Sequence, residues 1–196
     1  MSIILASNSP RRKELLAGLG LEFTVKTLSG IDESYPDTLV GEEIPLFISK
    51  KKAEAYKSLI TGDDLLITAD TIVYLPANDG VGVVMGKPED RQDAIDMLNM
   101  LSGRTHEVIT AVTILTKSKQ KSFAVTSIVS FDELTDSEIC YYVDNYKPFD
   151  KAGAYGIQEW IGFVGVNSLQ GSYFNVMGLP VQRLYKELKS FSVDLP

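Results

Sequence analysis

The sequence predicts a mixed α/β protein, and two patterns carry that expectation. Short runs rich in Ile, Leu and Val alternate along the chain with stretches whose apolar residues recur at helical spacing. Some neighbouring strand-like runs are joined only by turn residues, as in LLITADTIVYL-PANDG-VGVVM, and such hairpins exclude a purely parallel, doubly wound sheet. The chain has 196 residues, 44% of them hydrophobic and 23% charged, enough for one domain with a substantial core or for a two-lobed domain. It contains no internal repeat and no low-complexity tract.

The elements follow in order. Ser2 to Ala6 reads as a short, fully apolar strand. The next helix starts in SNSPRR, with Ser9 suited to the N-cap and Pro10 to the first helical position. Leu15, Leu16 and Leu19 share a face of that helix, and Gly18 or Gly20 can end it. Phe23 to Lys26 is a candidate second strand, and Glu42 to Ile60 reads as a long helix closed by TGDD. Leu65 to Leu75 is a long strand with a carboxylate, Asp70, in its middle. Pro76 to Gly80 is a turn, and Val81 to Met85 returns as a strand.

Gly86-Lys87-Pro88 then opens a helix, with Pro88 near its first position and Glu89 and Asp90 in its first turn. His106 to Leu115 and Phe123 to Phe131 form two strands around the polar TKSKQKS. Thr135 and Glu138 fit a capping box on a helix reaching about Tyr146. Glycine-rich segments occupy Gly153 to Gly178, and Val181 to Leu188 is a closing helix.

Composition narrows the function. A net charge of −7 argues against nucleic-acid polymers and anionic membranes as partners, so any anion site must be a local cluster. The single cysteine, Cys140, excludes an internal disulfide and a cysteine zinc cluster, and it reads as a buried small hydrophobe. No apolar run approaches the roughly 20 residues that span a bilayer, and the first residues form no basic leader. A cytoplasmic location is expected.

The one histidine, His106, rules out histidine-rich zinc sites. P-loop, dinucleotide-binding and G-x-S-x-G motifs are missing too. Carboxylates, lysines, arginines and hydroxyls remain, a set suited to metal-assisted phosphoryl chemistry. SNSPRR fits such a site but breaks a helix rule. The positive end of the helix dipole disfavours Arg11 and Arg12 by about 0.3–1 kcal/mol each at exposed sites. A strand–turn–helix junction presents free N–H groups, Ser7 and Ser9 add hydroxyls, and arginine forks can grip phosphate oxygens. A solvated basic first turn is the plainer alternative.

Asp70 is the second signal. A carboxylate inside so apolar a strand costs several kcal/mol, roughly, if it is buried unpaired. It is either a general base or metal-binding group, with Thr71 beside it as a donor, or a structurally paired acid. Glu33 and Lys87 are weaker candidates, since each can simply be solvated. Of Lys50, Lys51 and Lys52, only Lys52 is expected to point inward. AGAYGIQ has more backbone flexibility than packing requires, and its Gln158 can read a base edge. GSYFNVMGLP is either a close backbone approach or a plain turn.

LASNSPRRKELL, ADT, GKP, SGRTHEV, KAGAYGIQ and GSYFNVMGLP occur here in that order, to about Phe191. In this the chain resembles the Maf family of nucleoside triphosphate pyrophosphatases. The resemblance implies one Maf-like domain over residues 1–196. It also implies a mixed, strongly bent sheet flanked by helices, with two lobes around a cleft, as in inosine triphosphate pyrophosphatases. It implies cleavage of a nucleoside triphosphate between the α and β phosphates, with a divalent cation, Mg²⁺ or Mn²⁺.

Carried over residue by residue, Asp70 matches the family's proton acceptor, with Asp70 and Glu33 as expected metal ligands. Ser7, Ser9, Arg12, Lys52 and Lys87 match substrate-binding positions. Arg11, Thr71 and Gln158 match the specificity set of the dTTP/UTP branch, whereas SPWR, DQ and SE mark a branch acting on 7-methyl-GTP. A homodimer is implied by the resemblance alone. Ser49 replaces the usual alanine, PANDGVGV lengthens a hairpin, and Ser192 to Pro196 has no counterpart. A non-catalytic nucleotide-binding regulator of cell division, or a phosphatase removing the γ-phosphate, would use the same residues.

Overall fold

The computed structural model of the chain describes residues 2–76, 82–191, 193 and 195. The elements are β1 (Ile3–Leu5), α1 (Pro10–Ala17), β2 (Phe23–Val25), α2 (Glu43–Ala55), β3 (Leu65–Leu75), β4 (Val83–Met85) and α3 (Arg91–Leu101). They continue with β5 (Thr105–Leu115), β6 (Gln120–Phe131), α4 (Asp136–Tyr146), α5 (Trp160–Gly165), β7 (Val166–Gln170), α6 (Tyr173–Val176) and α7 (Val181–Leu188). Among the described residues the strands form a seven-stranded sheet in the order β2-β1-β3-β5-β6-β7, with β4 also paired to β3. β1 runs parallel to both β2 and β3, whereas the β3–β4 and β6–β7 pairs are antiparallel. The sheet is therefore mixed, as the hairpins in the sequence require.

Several boundaries moved. α2 stops at Ala55, followed by a 3₁₀ turn at Lys57–Leu59, not at Ile60. Tyr56 ends it: its ring is buried and its hydroxyl accepts the Leu28 N–H at 2.7 Å. Pro88, Glu89 and Asp90 precede α3, because Asp90 is its N-cap and accepts the Asp93 N–H at 2.9 Å. The expected capping box is present on α4, where Thr135 and Glu138 satisfy each other's backbone. The glycine-rich stretch from Gly153 to Gly178 holds α5, β7 and α6. Cys140 is only partly buried on α4. The expected turn after Pro76 lies outside the described residues.

The chain divides into two compact units. The first comprises Met1–Asp70, Thr110–Val125 and Gly178–Pro196, and the second Thr71–Ile109 and Thr126–Met177. In the first, Ile4, Leu66 and Leu115 of the sheet pack with Ala53, Tyr56 and Ile60 from α2 and the segment after it. In the second, Val73, Val108, Val129 and Phe131 pack against Ala94, Leu98 and Leu101 of α3 and Ile139, Tyr142 and Val143 of α4. The lone histidine belongs to this second core. His106 is fully buried, its Nε2 lies 2.8 Å from the Tyr155 hydroxyl, and its ring meets Phe131 and Tyr155 edge to face. Among the described residues, no helix is long and apolar enough to cross a membrane.

Candidate active site

The start of α1 is built as its sequence predicts. Ser9 caps the helix by accepting the Arg12 N–H at 3.4 Å, and Pro10 stands at its first position. Ser7, almost fully buried, accepts the Ser9 N–H at 3.2 Å. Each hydroxyl takes one backbone donor, which leaves its own O–H to donate elsewhere. The first turn holds no acid.

The Arg12 fork engages protein backbone. Its Nε donates to the Gly178 carbonyl at 2.8 Å and its Nη1 to the Ala69 carbonyl at 2.9 Å. Two donors of the fork thus hold protein backbone, and one of them holds the residue before Asp70. Desolvation lowers the pKa of Arg12, and Arg11 beside it acts in the same direction. Asp70 and Glu33 raise it. Arg12 is therefore a cation held against burial by nearby carboxylates.

Those carboxylates share one lysine. Lys52 Nζ lies 2.8 Å from Asp70 Oδ1 and 3.1 Å from Glu33 Oε1. The side chains of Lys52 and Asp70 are only 14% and 11% exposed, against 55% for Glu33. Lys51 lies one residue earlier and contacts Asp32 at 2.7 Å. Lys51 and the Ser34 backbone N–H hold the Asp32 carboxyl well below the usual carboxylate range. Successive lysines of α2 thus tie down successive acids of the Asp32–Glu33 loop, and Lys50 stays exposed. The expectation that Lys52 alone faces inward holds.

Helical and strand periodicity explain how Lys52 reaches Asp70. Ser49 and Lys52 are three residues apart on α2, and Thr68 and Asp70 two apart on β3, so each pair shares a face. Thr68 Oγ1 donates to the Ser49 carbonyl at 2.7 Å, a neutral rung below the charged one. The Ser49 hydroxyl lies 3.0 Å from Thr113 Oγ1, which lies 2.9 Å from Ser122 Oγ. Ser49 therefore extends a hydroxyl chain across β5 and β6. No signal in the sequence marked Thr68, Thr113 or Ser122.

The remaining candidates belong to the second unit. Thr71 follows Asp70 on β3 and is partly buried, and Lys87 is exposed between β4 and α3. Gln158 lies in the turn before α5, and its Oε1 is buried without a hydrogen-bond partner among the described residues. The flexibility expected of AGAYGIQ is not what the structure shows. Gly153 is required by packing: at φ +67° it sits where a Cβ would fall 2.7 Å from Val73 Cγ2. GSYFNVMGLP is more than a turn. Ser172 caps α6, and buried Asn175 donates to the Val108 carbonyl and to Ser127 Oγ, both at 3.0 Å.

A metal cage of three or more His, Cys, Asp or Glu side chains does not occur among the described residues. Two carboxylates that converge on one cationic nitrogen, Asp70 and Glu33, do fit a hard cation of the Mg²⁺ kind. Such ions take one or two carboxylates and complete their shell with water and phosphate oxygens. The arrangement concentrates paired charges, hydroxyl donors and one largely buried carboxylate in a single neighbourhood, as phosphoryl chemistry requires.

Comparison with known proteins identifies the family. Residues 2–191 match the family model described as Maf-like protein. A dTTP/UTP pyrophosphatase of Bacteroides fragilis is 63% identical over 187 residues, covering 95% of this chain and 94% of that protein. One of Porphyromonas gingivalis is 50% identical over 191 residues, covering 96% and 94%. A solved HAM1 protein from Coxiella burnetii shares the fold, with a TM-score of 0.50 at 11% identity over 97% of this chain and 99% of that one. Family model, sequence identity and the order of the motifs converge, and the chain belongs to the Maf-like protein family.

Proposed function

We propose that the chain hydrolyses dTTP, UTP and modified pyrimidine nucleoside triphosphates to the monophosphate and pyrophosphate. The observation that carries this reading is the Lys52 ammonium set between Asp70 and Glu33, with Arg12 behind Asp70. Relatives at 63% and 50% identity that carry the name dTTP/UTP pyrophosphatase support the substrate class.

In this reading water attacks the α-phosphorus, the bond to the α–β bridging oxygen breaks, and pyrophosphate leaves. Asp70 accepts the proton of the attacking water. Lys52 has three N–H donors, and those not engaged by carboxylates serve phosphate oxygens as negative charge moves to the leaving group. Lys87 adds a second ammonium, and Ser7, Ser9 and Arg12 bind phosphate oxygens. Asp70 and Glu33 would hold a divalent cation, Mg²⁺ or Mn²⁺, which when bound supplies Lewis-acid polarisation of the phosphate. Thr71 and Gln158 read the base, supported by Arg11.

The protein acts on free nucleotides in the cytoplasm as one functional domain and as a homodimer. Its net charge of −7 disfavours polymers, and the 81% exposed Phe163 supports self-association. Sedimentation as a monomer would remove the dimer from this account.

One assay decides the chemistry: a panel of nucleoside triphosphates with Mg²⁺ or Mn²⁺, read by product identity. Monophosphate plus pyrophosphate is expected, with dTTP and UTP preferred. Diphosphate plus orthophosphate would sink the reading. Asp70→Asn should retain nucleotide binding and lose pyrophosphate release. Wild-type protein that binds dTTP but never cleaves it would identify a non-catalytic regulator instead.

A further inference from the structure

The turn that presents Gln158 is fastened in an unusual way. The Glu159 N–H donates to the Gly156 carbonyl at 2.9 Å, closing a turn with Ile157 and Gln158 at its centre. One phenol holds both ends of that turn. The hydroxyl of Tyr142 accepts the Gly156 N–H at 3.0 Å and donates to Glu159 Oε2. The other carboxylate oxygen, Glu159 Oε1, lies 3.0 Å from Lys151 Nζ, which also meets Asp150 Oδ1 at 2.7 Å.

These groups are packed as well as bonded. The Tyr142 side chain is fully buried and stacks on Tyr146 with ring centroids 5.1 Å apart, and Lys151 is 8% exposed. Gly156 leaves no room for slack, since a Cβ there would fall 2.9 Å from Glu159 Cδ and 3.0 Å from Lys151 Cε. Burial first, and then Glu159, push the Tyr142 hydroxyl far above its ordinary pKa, so it remains a proton donor to the carboxylate. A buried Lys–Glu–Tyr network is costly to assemble unless every member is satisfied, and rigidity is what it returns.

The residue held by this staple has one unsatisfied atom. Gln158 Oε1 is buried and has no hydrogen-bond partner among the described residues. A buried amide oxygen without a donor costs free energy that a ligand N–H recovers. Thymine and uracil present a donor at N3, whereas cytosine presents a lone pair at N3. An acceptor fixed in place favours the first two and repels the third, and the discrimination is only as good as its fixation.

From this we infer that Tyr142, Glu159 and Lys151 are positioning residues for base selectivity. They hold the Gly156–Glu159 turn so that Gln158 Oε1 accepts the N3–H of thymine or uracil and rejects cytosine. The inference rests on the pyrimidine triphosphatase reading given above.

The test is pyrophosphate release from dTTP, UTP, dCTP and CTP by wild-type protein, Tyr142→Phe and Glu159→Gln, with melting temperatures measured alongside. Tyr142→Phe keeps the stacked ring and removes both bonds of the phenol. The ratio of kcat/KM for dTTP over dCTP should fall about tenfold in that variant, mainly through KM for dTTP, because selectivity built on a buried hydrogen bond is lost when the bond is misaligned. Glu159→Gln keeps an acceptor for Tyr142 and loses the charge facing Lys151, so it should fold and give a smaller fall. If Tyr142→Phe does not fold, Glu159→Gln decides alone. Folded variants with lower melting temperatures and unchanged base ratios overturn the inference and leave the enzyme reading intact. Wild-type protein that releases no pyrophosphate from dTTP overturns both.

Discussion

Lys52 Nζ and Asp70 Oδ1 meet at 2.8 Å, and both side chains are largely removed from solvent. Their elements, α2 and β3, are held in register one step away by the Thr68–Ser49 bond. A charged pair in that setting does not gain much over apolar packing, but removing one partner leaves the other charge stranded. The pair is therefore a device for placing a carboxylate and an ammonium together, more than a source of stability.

Lys52→Met should expose that distinction. It removes the cation that Asp70 and Glu33 share and leaves two carboxylates facing each other. Activity should fall by about 10²–10³-fold, the usual effect of deleting one group that stabilises developing charge. Stability should fall by on the order of 3 kcal/mol, since Asp70 stays largely buried. Pyrophosphate release and denaturant unfolding read the two effects separately. Wild-type activity in a folded Lys52→Met protein would show that the ammonium takes no part in the reaction.

Arg12→Lys tests whether the fork is a clamp. A lysine has one donor head and cannot meet the carbonyls of Gly178 and Ala69 together, as the guanidinium does at 2.8 and 2.9 Å. Losing one hydrogen bond from a charged donor costs about 1.5–3 kcal/mol. In a chain of this size that corresponds to a fall of roughly 5 °C in Tm. Activity should fall with it, because the strand residue before Asp70 loses its anchor. A Tm equal to that of wild type in a thermal scan would mean that the two carbonyls are satisfied without the fork.

How much of this could be read in advance follows from the range of each interaction. Local rules placed the Ser9 cap, the Thr135–Glu138 capping box and all of β3, because those depend on neighbours within a few residues. The inward placing of Lys52 rested on a signal as local, its position beside Ala53. The partners of Arg12 lie 57 and 166 residues away, and no local pattern can report them. That its fork also holds two backbone carbonyls was therefore beyond local reading. α5 and β7 escaped notice because WIGFVG contains two glycines and VNSLQ has only two apolar residues. The staple of Tyr142, Lys151 and Glu159 was hidden for a different reason. Its members lie close in sequence, but nothing local says that a lysine there will be buried.

The last prediction concerns pH. Burial lowers the pKa of His106 from 6.5 to about 4 in the folded chain, where the imidazole is fully enclosed. Above the unfolded value both states are neutral at this site and it has no influence on stability. As pH falls below 6.5 the unfolded chain takes up a proton that the folded one refuses, so stability declines until the folded pKa is reached. The full effect is about 3 kcal/mol, from the difference between the two pKa values. His106→Gln replaces the imidazole with a side chain that does not titrate and can still face the Tyr155 hydroxyl. The variant should have lower stability than wild type near pH 7, because the aromatic contacts are lost. The difference should shrink on acidification, since only wild type pays the protonation cost. Urea unfolding at intervals from about pH 7 to pH 4.5 measures it, and parallel curves for the two proteins would show that His106 does not titrate on unfolding in this range.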